Sequence, residues 1–335
     1  MYHIDETKML RDARLSLSPG ARVPNIFFEG MIFVLVTYIS SLPQSFVLSI
    51  YATVQMLLDP KYYEMLLSDT IDTNAILEYA VGLTENIPTY VYALTIAASG
   101  FMILGAIIYC KAFQKRSPHT LGFVRRGVIP EYLTGALIGA LMIGLLALAC
   151  HVTGCVTFTI NGNADPLMIL LFLGAFLLQG MGEEALFRGY LVTGLSRSGG
   201  VWPAIITSSL VFAAFHAGNP NFTLLAFVNI ALFGLFAGIY MLKRGSIWGI
   251  GAIHALWNFT QSNVFGFNVS GNPYFESLIT AEARNVGTIL SGGEFGLEGG
   301  LGMTVIMLIA ILLALLMPTK KSELCAPIPK SEQAQ

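Results

Sequence analysis

Charge is scarce in this sequence: Asp, Glu, Lys and Arg make up only 11% of its 335 residues. A soluble domain carries roughly a quarter, so the soluble globular class is excluded. The formal net charge of −2 leaves no basic excess, and no nucleic-acid partner is expected. Cysteine is rare too. Cys110, Cys150, Cys155 and Cys325 show no metal-ligand spacing, and three of them lie in or beside apolar stretches, where an inert buried thiol is the expectation. There is no His-Glu-x-x-His motif, no internal repeat and no glycine after the initiator methionine, and the C-terminus is not a prenylation box. The segment 1–25 is polar and mixed in charge, and the apolar run after it is long enough to span a bilayer. No cleavable signal peptide is therefore expected.

Apolar residues are abundant: 55% of the chain is hydrophobic, with a mean hydropathy of +0.68. Apolar stretches near bilayer-crossing length recur at about 26–46, 89–110, 132–154, 167–195, 202–217, 222–242, 246–262 and 300–317. The expected fold is all-α and polytopic, with about eight transmembrane helices. Residues 1–25 form a cytoplasmic arm, 26–317 a single membrane domain and 318–335 a disordered polar tail. The acidic 59–88 segment reads as a solvated loop with room for a short surface helix. The 263–299 segment is long and rich in Gly, Asn and Ser; connections of that length are functional or mobile.

Charge placement orients the chain. With alternating connections, all of the 18 Lys and Arg residues except Lys61 and Arg284 fall on one side, if Arg188, itself at membrane depth, is counted there. By the positive-inside rule that side is cytoplasmic and holds both termini. The chain is expected to be a multi-pass protein of the cell membrane, with the lipid bilayer as its surroundings.

Against this background the run Glu183-Glu184-Ala185-Leu186-Phe187-Arg188 is anomalous, because Leu167 to Gly182 before it carries no charge. Ionisable groups at membrane depth are expensive and mark functional sites by default. Later apolar stretches hold Phe212-Ala213-Ala214-Phe215-His216 and His254-Ala255-Leu256-Trp257-Asn258. Glu184 and Arg188 are four apart and share a helical face, as do Phe212 and His216, and His254 and Asn258. Glu183 points about 100° away from Glu184, so the two acids need not do one job. If the fourth helix runs on to Arg197 at its cytoplasmic end, the climb from Arg197 to Glu183 equals that from Trp202 to His216. Both then sit about 21 Å deep. His254 and Asn258 come out about 12 and 18 Å deep on their helix.

Amide hydrolysis needs an activated water, a stabiliser for the oxyanion and a proton for the leaving amine. A carboxylate can be the base, and a histidine can hold the same water. A second histidine and an amide can face the oxyanion. Each group also has a plainer use. A Glu–Arg pair can clamp a helix, a membrane histidine can be a packing residue, and an Asn can be interhelical glue. Matched depth on three helices makes those plainer readings hard to sustain jointly. A proton-linked transporter fits less well, since there is no repeat and no pair of matching broken helices.

The ordered set Glu-Glu-x-x-x-Arg, Phe-x-x-x-His, His-x-x-x-Asn resembles the signature of intramembrane endopeptidases related to the type II CAAX prenyl protease, which include bacterial Abi/CPBP proteins. The signature core here spans about 182–260. The resemblance implies an eight-helix fold and proteolysis within the membrane. It casts Glu183 as water activator with His216, places His254 and Asn258 on the oxyanion side, and makes Glu184 and Arg188 supporting residues. The implied substrate is a membrane-associated protein or peptide, of prenylated CAAX type in eukaryotic members, while some members are non-catalytic immunity or scaffold proteins. No cofactor is required by this reading. Zinc held by Glu183, His216 and His254 is the metal-dependent alternative, and both mechanisms use the same residues.

Overall fold

The computed structural model describes residues 7–15, 26–68, 71–85, 87–273, 275–284 and 288–320. Arg22, Asp69, Cys325, Lys330 and the rest of the tail from residue 321 lie outside them. The chain is an all-α polytopic membrane protein with one small two-stranded sheet among the described residues.

A short helix, α1 (Lys8–Leu15), precedes α2 (Ile26–Leu58). At 33 residues α2 is about 50 Å long, well beyond a hydrocarbon core of about 30 Å. It outruns the expected 26–46 stretch, running on through Pro43 to Leu58. The Asp59 carboxylate accepts from Lys61 N and Pro60 follows at the first helical position, which starts α3 (Pro60–Leu66). With α4 (Thr73–Glu85), this makes the acidic connection two helices rather than a solvated loop.

The second apolar stretch is α5 (Thr89–Ala98) and α6 (Phe101–Ala112), broken at Ser99–Gly100. The third is α7 (Val128–Val152), which leads to strand β1 (Val156–Ile160). The fourth begins at α8 (Pro166–Glu184), capped by Asp165, passes through a π-helical stretch (Ala185–Val192) and ends as α9 (Thr193–Gly199). After it come α10 (Val201–Phe215), α11 (Leu224–Arg244), and α12 (Trp248–Phe259) with a π-helical continuation Thr260–Val264. Strand β2 (Ile279–Ala283) pairs antiparallel with β1. A single turn, α13 (Thr288–Ser291), precedes α14 (Leu301–Leu316).

Among the described residues five helical stretches (α2, α5 with α6, α7, α8 through α9, and α11) are long and apolar enough to cross a membrane, and α10 and α14 are shorter apolar helices. Together with α12, they hold the eight expected stretches in order. Leu133, Leu137, Leu141, Leu145 and Leu148 of α7 are all exposed. They follow a helical period and form a lipid-facing stripe.

The described residues of the 263–299 connection are tied to the bundle. Phe295 and Leu297 are fully buried, and β2 ties the segment to β1, so it packs back onto the bundle. At the tail, Lys320 N donates to Lys243 O at 2.9 Å.

Helix α12 lies against both α7 and α8 through small residues. A Cβ on Gly135 would sit 2.1 Å from Gly249 O, and one on Gly139 would sit 2.3 Å from Ile253 O. The Gly-x-x-x-Gly spacing on α7 lets the two backbones touch and sets the position of His254, the next residue after Ile253. Gly144 on the same helix has open space around it. Gly139→Val is expected to push α12 away and lower the melting temperature in detergent by on the order of 5 °C. Gly144→Val should leave it unchanged. Equal melting of the two variants would mean that this contact does not hold α12.

Candidate active site

The acid pair sits where α8 meets its closest neighbours. A Cβ on Gly180 would lie 2.6 Å from Ala255 N, and one on Gly182 would lie 2.6 Å from Ser99 O. The backbone of α8 therefore touches α12 on one side and the break between α5 and α6 on another. Glu183 and Glu184 project into different surroundings. The Glu184 side chain is fully buried, whereas Glu183 is 16% exposed.

Glu184 joins two cationic or polar partners through one oxygen. Arg188 Nη1 donates to its Oε1 at 3.1 Å, and His254 Nδ1 lies 2.8 Å from the same atom. Because a carboxylate only accepts, His254 carries its proton on Nδ1. That leaves His254 Nε2 facing Glu183 Oε2, 3.7 Å away. The guanidinium of Arg188 lies 4.2 Å from the Phe212 ring centroid and 5.6 Å from that of Phe233. Desolvated cation–π contacts of this kind are worth about 2 kcal/mol. Phe212, the first residue of the Phe-x-x-x-His pattern, thus supports the buried arginine as well as its own helix.

The fourth apolar stretch does continue past Arg188, as the depth count assumes, but in π-helical form as far as Val192. The Ser208 hydroxyl of α10 donates to Phe187 O at 2.8 Å and ties this wide turn to its neighbour. π stretches occur preferentially at functional sites, and this one begins directly after the acid pair. The second begins at Thr260, just after Asn258 and Phe259.

His216 lies just beyond the last residue of α10, not within the helix. Its Nδ1 is 2.8 Å from Phe212 O. A carbonyl is also only an acceptor, so Nδ1 is again the donor and Nε2 keeps its lone pair. Among the described residues no hydrogen bond or ion pair joins His216 to Glu183; the histidine that approaches Glu183 is His254. Asn258 Nδ2 donates to Gln179 Oε1 at 3.0 Å, and Gln179 Nε2 donates to Glu183 Oε1 at 3.1 Å. The six residues of the signature, Glu183, Glu184, Arg188, His216, His254 and Asn258, are thus gathered in one place.

Glu183, His216, His254 and Asn258 line one cavity of about 330 Å³, with Gln179, Thr37, Gln44, Met102, Asn219, Ser270 and Asn272 among its other walls. A chamber of about 20 Å³ adjoins it and shares His216, His254, Asn258 and Ser270. That volume suits roughly one water. Its far wall includes Glu298 and Asn229.

Several of these residues carried weaker signals in the sequence. Gln179 lies one turn before Glu183, on the same helical face. Thr37 and Gln44 are polar positions in the first apolar stretch. Glu298 was hidden in a glycine-rich segment. It is buried there, accepting from Trp257 Nε1 at 3.1 Å and from Ser270 N and Oγ at 2.6 and 2.8 Å. Asn229 Nδ2 donates to Glu298 O and Gly300 O, both at 2.8 Å. These bonds pin the 265–300 connection over the site.

Zinc at Glu183, His216 and His254 would need three donors converging at about 2 Å from one point. Among the described residues no three His, Cys, Asp or Glu side chains form such a group.

Residues 165–260 match the Rce1-like family model, described as type II CAAX prenyl endopeptidase Rce1-like. The matched stretch runs from the cap of α8 to the end of α12 and contains all of the signature residues. At family level the chain is similar to the CAAX-type intramembrane proteases. No curated protein matches the chain.

Glu298→Ala strips three buried donors, Trp257 Nε1, Ser270 N and Ser270 Oγ, of their acceptor, at about 1–3 kcal/mol each. Thermal melting in detergent should drop clearly for this variant. Glu294→Ala, at an exposed position of the same segment, should melt like the unsubstituted protein. If both melt alike, Glu298 does not hold the connection in place.

Proposed function

We propose that this chain, through its Rce1-like domain, hydrolyses a peptide bond in a membrane-associated protein or peptide with a water activated by Glu183. The chain would act as a multi-pass enzyme of the cell membrane. The observation that carries the reading is the division of labour between adjacent acids. Glu184 is sealed between Arg188 and His254, while Glu183 opens onto a cavity it shares with both histidines.

A water between Glu183 Oε2 and His216 Nε2 would be held by two acceptors. Glu183 takes one of its protons as the oxygen attacks the scissile carbonyl carbon, and a C–O bond forms. Gln179 steadies the other carboxylate oxygen, so the base keeps its orientation. The negative charge that develops on the carbonyl oxygen is met by His254 in its protonated form, through Nε2–H, and by the second amide proton of Asn258. Glu184, itself held by Arg188, stabilises the His254 cation through Nδ1. As the tetrahedral carbon collapses, the C–N bond breaks and Glu183 passes its proton to the leaving amine. The water-excluded surroundings strengthen each of these contacts.

Glu183→Gln keeps an oxygen for Gln179 to donate to but removes the base. Loss of a positioned general base costs about 10²–10⁴-fold in rate. New peptide ends seen in membranes with the unsubstituted chain should vanish with Glu183→Gln at equal expression. Cleavage at the original rate would sink the assignment. A cellular phenotype that survives both Glu183→Gln and His216→Ala would instead support a non-catalytic immunity or scaffold role. A chelator is expected to leave cleavage intact. Loss on chelation that added zinc restores would mean that Glu183, His216 and His254 rearrange around a metal.

A further inference from the structure

At the basic end of the bundle a second cavity, of about 740 Å³, is lined by cations from three connections. Lys8 comes from α1, Arg125 and Arg126 from the segment between α6 and α7, and Lys320 from just after α14. Among the described residues no acidic side chain lines it. Two acids stand nearby, and both are already engaged. Asp12 pairs with Lys8 one turn away. Glu131 is buried and shared by Arg244 and Lys320. Five cations, Arg244 included, therefore meet two carboxylates. Arg125 and Arg126 are exposed, and among the described residues neither side chain makes a hydrogen bond or ion pair. Such an excess attracts an anion, and the planar fork of an arginine matches the paired oxygens of a phosphate.

The walls are held in place before any ligand arrives. Ile247 N donates to Gly122 O at 3.0 Å and Trp248 Nε1 donates to Val124 O at 2.8 Å. These bonds fix the α6–α7 connection to the start of α12. Lys320 N donates to Lys243 O at 2.9 Å, which fixes the end of α14 to the end of α11. A ligand that bridges these walls meets backbone that is already ordered, so less entropy is lost on binding.

An apolar groove of about 310 Å³ runs from the same corner between α7, α11 and α14. Met142, Phe236, Tyr240 and Met317 are among its walls, and Ala310 and Ala314 keep it open by being small. On α11, Tyr240 lines the groove and Gly245 lines the basic cavity, about 8 Å apart along the axis. Met317 and Lys320 make the same link after α14. From Met317 back to Ile306 the groove follows α14 for about 17 Å. Half of a hydrocarbon core is about 15 Å, so the groove has the reach of one leaflet.

We propose that this corner holds one anionic glycerophospholipid of the cytoplasmic leaflet, with its phosphate at Arg125, Arg126 and Lys320 and one acyl chain in the groove. The basic end faces the cytoplasm by the positive-inside rule, and basic pockets at that end of membrane helices take anionic headgroups. A soluble anion would use the cavity and not the groove. A neutral lipid would use the groove and leave the arginines without a partner. A molecule with an anionic head and an apolar tail uses both.

The test titrates the purified full chain in neutral detergent with phosphatidylglycerol or phosphatidylcholine and counts bound lipid by native mass spectrometry. Phosphatidylglycerol should bind in preference to phosphatidylcholine. Replacing both arginines, as Arg125→Gln with Arg126→Gln, should weaken phosphatidylglycerol binding roughly 30-fold. Lys111→Gln with Lys115→Gln removes the same charge from exposed positions at the same end, outside the cavity, and should leave binding unchanged. Ile309→Trp, at a half-exposed position on the groove, should weaken binding by obstructing the acyl chain. All three variants should melt like the unsubstituted chain without lipid. Equal losses in the arginine and lysine variants would mean diffuse surface charge and overturn the site. Equal binding of the two lipids would remove the headgroup contact, and unchanged binding by Ile309→Trp would remove the groove. Displacement of bound phosphatidylglycerol by inorganic phosphate or by glycerophosphoglycerol would make the occupant a soluble anion and overturn the lipid assignment.

Discussion

Everything at this site hangs on one buried carboxylate. Glu184 accepts from Arg188 and from His254 through the same oxygen, and none of the three can leave without stranding the others. Breaking such a pair by removing one partner costs about 3–5 kcal/mol, because an uncompensated charge is left behind. The arginine is further held against Phe212 and Phe233. Rigid support of this kind fixes the orientation of His254 through Nδ1 and leaves Nε2 as the one ring nitrogen that faces Glu183.

The rest of the fold serves that placement. Close backbone contacts at Gly139 and Gly180 bring α7 and α8 against α12, and one at Gly182 brings α8 against the break between α5 and α6. The two π-helical stretches begin at, or just past, the polar residues they follow, so each motif sits at the edge of a locally rewound helix. Glu298 draws the long connection between α12 and α14 over the site and makes it part of the wall. The cavity is consequently lined mostly by polar side chains, with the rings of Phe187 and Phe215 among its walls, a composition that a simple bundle of apolar helices would not have.

Much of this was legible in one dimension. Low charge and recurrent apolar runs point to a polytopic helical protein, and the eight stretches recur as helices in order. The spacing of four between Glu184 and Arg188 predicts their contact, which the structure contains. Depth counted along each helix brings Glu183, His216 and His254 to comparable levels, and they line one cavity. Other expectations did not survive. The 59–88 loop is two helices, because Asp59 and Pro60 start a new one. The first membrane helix runs well past Phe46, to Leu58. In the structure His254 lies 3.7 Å from Glu183, and His216 lines the same cavity.

Those differences share a physical origin. Composition, run length and rise per residue belong to single segments, so the sequence by itself determined the membrane class, the sidedness of the charges and the depth of the polar groups. Which groups meet across helices depends on how far each helix is rotated about its own axis and how closely two backbones approach. Neither quantity is periodic in the chain. Only the tertiary structure therefore decided that Gln179 bridges Glu183 and Asn258 and that Glu298 closes the far wall of the adjoining chamber.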